Sequence, residues 1–171
     1  MQKNEPFFMI QNASQYPIEK CFINANWKES GLANILVVRK NIEIDKYLFG
    51  MFLVDLYCLG VKNVFFNAKL DWNAIQHGII DYVQEGMVDM DYEECRGLIL
   101  GAIDFAKKIG FVPHEDWEKA KEFVEPQKPY KTKYKFGKNG KPFYVAGPDD
   151  DVEEIIKILG VKGAFVRSFT D

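Results

Sequence analysis

"KYLFGMFLVDLYCLGVKNVFF", Lys46 to Phe66, is apolar on both of its alternating faces apart from Gly50, Asp55, Gly60 and Lys62. Such a run suits a strand covered on both sides. It predicts one long central strand, or a strand broken by a bulge at a glycine. Upstream, "IEKCFINANW" from Ile18 and "LANILVVRK" from Leu32 are shorter apolar runs separated by "KESG", which predicts an antiparallel pair. Downstream, Asp71 opens "DWNAIQHGIIDYVQEG", where Trp72, Ile75, Ile79 and Val83 recur at helical spacing and Gly86 follows as a stop. Asp91 and Glu94 form a capping-box-like start to the next helix, whose apolar stripe runs from Cys95 through Leu98, Ile99, Ala102, Phe105 and Ala106 to Ile109 before Gly110 ends it. Gly97 and Gly101, four apart, let another element approach closely, either an internal one or a second copy.

"PHEDWEKAKEFVEP" reads as a third, shorter helix between prolines. Beyond it, Asn139-Gly140 between aromatic-rich runs is a hairpin signal, "DDDVEEIIKILG" a short helix and "VKGAFVRSF" a final strand. Strands cluster rather than alternate with helices, which favours α+β layer packing over a doubly wound parallel sheet. The expected fold is an antiparallel sheet with helices packed mainly on one face and a C-terminal hairpin-helix-strand unit. Residues 1–17 read as an N-terminal arm and 18–171 as a single domain, with a subdomain joint at the prolines 126 and 129.

At 171 residues, one domain buries enough apolar surface to stand without disulfides or a structural metal, so no cofactor is called for. The proportions, 47% hydrophobic and 27% charged, are those of a globular protein, and aromatics at 15% suit thick packing layers or a contact surface. A net charge of −3 argues against a surface built to neutralise phosphate, which makes nucleic acid an unlikely partner. The three dispersed cysteines, Cys21, Cys58 and Cys95, read as reduced buried thiols of a cytoplasmic protein. The N-terminus has no basic segment leading into a sustained apolar one, and no apolar run approaches the roughly 18 residues of a membrane span.

Three stretches together, "FLVDLYCLGVKN", "GAIDFAKKIGFVPHEDW" and "FGKNGKPFYVAGPDDD", resemble a bacterial protein family of unassigned function marked by LVDxYCLGVK, GFxPHxD/W and GKPxYxxGPxDD segments. The similarity spans about residues 18 to 160 in the same order. It implies that these segments belong to one domain type, and it brings no activity or catalytic residue with it.

Several groups are candidates for chemistry. Lys131, Lys133 and Lys135 alternate with Tyr130, Thr132, Tyr134 and Phe136; in an extended segment the lysines share one face and the aromatics the other, as on a protected edge strand. A groove for single-stranded nucleic acid needs both on one face. Asp149, Asp150 and Asp151 stand where a helix cap and first turn belong, and their spacing is not that of a calcium loop. Asp55, amid apolar neighbours, needs a partner: Lys62, Arg39 or backbone amides. In a cleft its raised pKa would suit a general base. Cys58 with His114, oriented by Asp55 or Asp116, is a thiol-nucleophile candidate. His114 also reads as a helix-start residue and His77 as a surface position. No zinc spacing, P-loop, nucleophile elbow or HExxH helix appears.

The leading expectation is therefore a cytosolic domain that binds a protein partner or small ligand, with Lys62, Lys141, Asp149 and Asp150 as candidate ligand-binding residues. The alternative is a hydrolase or nuclease-like enzyme built from Asp55, His114 and the Asp149 to Asp151 group, with metal assistance as an option. That reading requires these side chains to converge on one cavity. An edge strand leaves a homodimer open.

Overall fold

The computed structural model describes residues 2–166. Lys46 to Phe66 is not one strand but two: β3 (Lys46–Asp55) and β4 (Gly60–Leu70) form an antiparallel hairpin in which Phe52 faces Val64 and Asp55 faces Gly60. The turn is made by Asp55, whose Oδ1 accepts the amides of Tyr57 at 2.9 Å and Cys58 at 3.2 Å and whose Oδ2 accepts that of Leu59 at 3.1 Å. Gly60 closes it at φ +70°, in the left-handed region that favours glycine. Asp55 and Gly60 thus make a turn out of Leu56 to Leu59, which carry no turn signal themselves.

β1 (Ile18–Asn24) pairs with β2 (Leu32–Asn41), β2 with β3, and the short β5 (Met87–Asp89) with β1, all antiparallel, in the order β4-β3-β2-β1-β5. The alternation of each strand then divides the side chains between two faces. Ile35, Val37, Phe52 and Val54 enter the main core, while Phe22, Leu36, Val38 and Phe49 form a second layer on the opposite face. That is why β2 from Ile35 to Val38 and β3 from Tyr47 to Val54 are apolar on both alternating faces.

Most helices lie on the main-core side. α1 (Pro6–Gln11) buries Met9 and Ile10 there, so the residues expected as an arm are part of the core. α2 (Trp27–Ser30) is one turn at the β1–β2 connection. α4 (Tyr92–Ile109) follows the capping signal: Asp91 accepts the amides of Glu93 and Glu94 at 3.0 and 3.3 Å, and the apolar stripe is buried except at half-buried Phe105. α3 (Trp72–Gly78) covers the opposite face through Ile75 and Trp72, with Ile79 and Ile80 just beyond it. It ends eight residues before the predicted stop, because Gly78 is a poor helix former and the chain passes through two successive turns, Ile80–Tyr82 and Val83 to Gly86, into β5, an edge strand without a sequence signal of its own.

The third predicted helix shrinks to α5 (Trp117–Ala120) and a tight turn, Lys121–Phe123. Two buried arginines explain the shortening. Arg39 donates to the Phe123 carbonyl at 2.9 Å and Arg96 to that of Val124 at 2.8 Å, so these acceptors are taken by guanidinium rather than by helical amides.

The C-terminal unit begins at a two-residue turn, Asn139 (φ 55°) and Gly140 (φ 79°), bridged between Lys138 and Lys141. β6 (Phe143–Val145), α6 (Val152–Leu159) and β7 (Ala164–Val166) follow, with β6 and β7 parallel. Tyr144 and Leu159 pack with Cys58, Leu59, Ala106 and Phe111 in a separate core. The predicted final strand runs on to Phe169, and its last residues lie outside the described ones. Among the described residues no helix is long and apolar enough to cross a membrane.

Candidate functional site

The structure separates the residues singled out by sequence. Asp55 is a turn acceptor: burial raises its pKa, against which its three backbone amides and Lys62 act, and its oxygens are occupied. Its partner is the backbone; Arg39 lies elsewhere, bonded to the carbonyls of Tyr16 and Phe123. Cys58 is fully buried, and that burial, with the Asp55 charge, pushes its thiol up to about 12, far from a thiolate nucleophile at neutral pH. His114 Nδ1 accepts the amide of Asp116 at 3.1 Å while its own amide donates to the Val61 carbonyl at 2.9 Å, a local helix-start role. His77 is exposed, beside Asp81 at 2.8 Å.

The aspartate run divides into three tasks. Asp151 caps α6 by accepting the Glu154 amide. Asp150 turns inward, accepting the Tyr144 hydroxyl at 2.7 Å and the Gly147 amide at 2.8 Å, and pairs with Lys62 at 3.3 Å. Asp149 and Lys141 are exposed. Among the described residues no three of His, Cys, Asp and Glu stand where they could hold one metal ion. Asp55, His114 and Asp151 are each spent on their own turn or cap, and Asp150 on Tyr144, Gly147 and Lys62.

A different place is open. Between α2, the start of α4 and the segment 129–136 lies a groove of about 850 Å³ with Trp27, Met90, Leu98 and Tyr134 as its apolar lining. Lys28, Lys131 and Lys133 stand on its rim, with Glu93 and Glu94. Trp27 and Tyr134 meet with ring centroids 5.7 Å apart, tilted by 49°.

The strap that forms one wall is held from below. Arg96, 2% exposed, donates to the carbonyls of Val124, Glu125, Lys128 and Pro129 at 2.8–3.2 Å. Arg39 joins Tyr92 in binding Glu125. Burial alone would raise the Glu125 carboxyl; the hydrogen bonds from Lys128, Tyr92 and Arg39 outweigh it and hold the group at about 2. The prolines at 126 and 129 thus lie in a stretch whose carbonyls Arg96 binds at four positions.

Gly97 and Gly101 serve this strap. A Cβ at Gly97 would stand 2.5 Å from the Lys131 carbonyl oxygen, and one at Gly101 2.6 Å from the Phe136 ring. Tyr130, Tyr134 and Phe136 pack inward while Lys131, Lys133 and Lys135 are exposed, the division that the alternation predicts. The expected edge strand is absent, however: residues 129–136 run without turn or bend and pair with no other strand. The sequence pointed to neither Arg96 nor the groove, and to Arg39 only as a partner for Asp55. Arg96, a charge inside the best apolar stripe of the chain, was the available signal.

The fold and this groove define an antiparallel α+β domain with a lined surface cleft. Compared with protein families, curated proteins and solved structures, the chain finds no match.

Proposed function

We propose that the protein is a binding module whose ligand lies in the groove between α2, α4 and the 129–136 strap. The carrying observation is the apolar lining of Trp27, Met90, Leu98 and Tyr134 in an open groove with a charged rim, a combination that suits a partner segment with apolar anchors. Three free, buried thiols agree with a cytosolic setting. The hydrolase reading draws no support from the geometry, since its residues are engaged in separate turns.

The test is selection of a phage-displayed random peptide library on the purified protein, followed by titration of the selected peptides against Trp27→Ala. Loss of about tenfold or more in affinity at unchanged secondary structure supports the groove. Selected peptides indifferent to Trp27→Ala, or a library that yields none, sink it.

A further inference from the structure

Resting on that reading, we infer that the groove's occupant is an extended acidic peptide that adds as a strand to the main chain of residues 131–136. The first support is the unpaired backbone. Among the described residues, the amides of Lys131, Thr132, Lys133, Lys135 and Phe136 donate to no protein acceptor, and no carbonyl from Tyr130 to Phe136 accepts a bond. Tyr134 alone uses its amide, on the Thr132 hydroxyl at 3.1 Å. The Lys131 carbonyl faces α4 at Gly97. In an extended run the main-chain groups of alternate residues point to opposite edges, so those of Thr132 and Tyr134 face away from the helix. A segment without turn or bend, whose outward edge is free apart from the Tyr134 amide, beside an apolar groove is the arrangement that strand addition uses: backbone bonds give affinity, and side-chain pockets select alternate residues.

The second support is charge. Residues 126–148 carry six lysines and no acid, while the rest of the chain holds 16 Lys and Arg against 25 Asp and Glu, a balance of −9 within an overall −3. Of these six, Lys131 and Lys133 line the groove and Lys135 follows on the same face; with Lys28 they outnumber Glu93 and Glu94 there, a balance complementary to an acidic partner. Lys131, Lys133 and Lys135 recur about every 6.7 Å along an extended segment, the spacing of alternate side chains on an added strand. On the opposite wall, Glu93 is held by Arg96 at 2.8 Å and Glu94 is exposed, which confines the partner's acids to the lysine side and leaves apolar residues to face Trp27 and Leu98. A peptide alternating acidic with apolar residues meets both demands. Nucleic acid fits less well, because Tyr134 and Phe136 pack inward, away from the lysine face.

The experiment is fluorescence anisotropy with three short labelled peptides that alternate valine with aspartate, asparagine or lysine. The aspartate peptide should bind about tenfold more tightly than the asparagine one, as three exposed charge pairs would give, and the lysine peptide least. The combined substitution Lys131→Gln, Lys133→Gln and Lys135→Gln should remove the preference for aspartate while keeping the affinity for the asparagine peptide. N-methylation of the peptide amides along one edge should abolish binding, and along the other edge should not. Equal affinity for the aspartate and asparagine peptides overturns the acidic occupant while the groove stands. Indifference to N-methylation at both edges overturns strand addition. Tighter binding of oligothymidylate than of the aspartate peptide, or binding of no peptide, overturns the inference as a whole, and the library selection against Trp27→Ala then decides separately whether the groove binds anything.

Discussion

Asp150, in the loop before α6, reaches Lys62 on β4 across 3.3 Å, and both side chains are largely enclosed, at 12% and 19% exposure. With the Tyr144 hydroxyl on the same carboxylate, this pair fastens the C-terminal unit to the sheet, alongside the Phe143 amide on the Tyr57 carbonyl at 3.0 Å. The part of "FGKNGKPFYVAGPDDD" that looks like a site is therefore an internal tie.

Removing the carboxylate leaves Lys62 and the Tyr144 hydroxyl enclosed without it. Asp150→Ala should cost about 2–3 kcal/mol, below the range for a wholly buried pair because of the residual exposure. Hydrogen exchange should accelerate first in α6. Unchanged protection of the Val152–Leu159 amides would show that the apolar core beneath them suffices.

The β3–β4 turn depends on one side chain. Asp55→Ala should destabilise by roughly 2–3 kcal/mol through the amides of Tyr57, Cys58 and Leu59. Asp55→Asn, which keeps one acceptor oxygen, should cost less. Urea midpoints rank the two, and equal midpoints for wild type and the alanine variant would refute the assignment.

Acid should loosen the strap. Glu125 falls from an ordinary 4.5 to about 2 in the folded chain, so it binds its proton more readily when unfolded. Its contribution is complete above pH about 4.5 and disappears as pH falls toward about 2, roughly 3 kcal/mol in all. Glu125→Gln should flatten that limb of the stability curve. A variant that keeps the wild-type slope between those limits would remove Glu125 as the cause.

Gly97→Ala tests the seating of the strap on α4. Within an isolated helix the change would stabilise by up to about 1 kcal/mol. Here the new Cβ would stand 2.5 Å from a backbone oxygen, so net destabilisation and weakened peptide binding are expected. A rise in melting temperature would mean that the strap lies elsewhere in solution.

The thiols should be inert in the native state. Cys21, Cys58 and Cys95 are free and buried, and burial with the Asp55 charge raises Cys58 to about 12. A maleimide should label none of them until denaturant is added. Rapid native labelling at Cys58 would reopen the nucleophile reading.

The sequence by itself determined what depends on neighbours a few residues apart. The stripe from Cys95 to Ile109 between the Asp91 cap and Gly110, the Asn139-Gly140 turn, the Asp151 cap and the alternation of lysines with aromatics are all local, because helical period, capping and turn geometry act over one or two turns of chain. The split of Lys46 to Phe66 into two strands was not legible. Its cause is local, Asp55 accepting amides two to four residues on with Gly60 closing the turn, but the surrounding residues are apolar on both faces and look the same in one strand as in two. The groove belongs wholly to tertiary structure. Arg96 finds its acceptors 28 to 33 residues along the chain and Arg39 finds Phe123 at a separation of 84, and bonds of that range leave no periodic trace in a sequence.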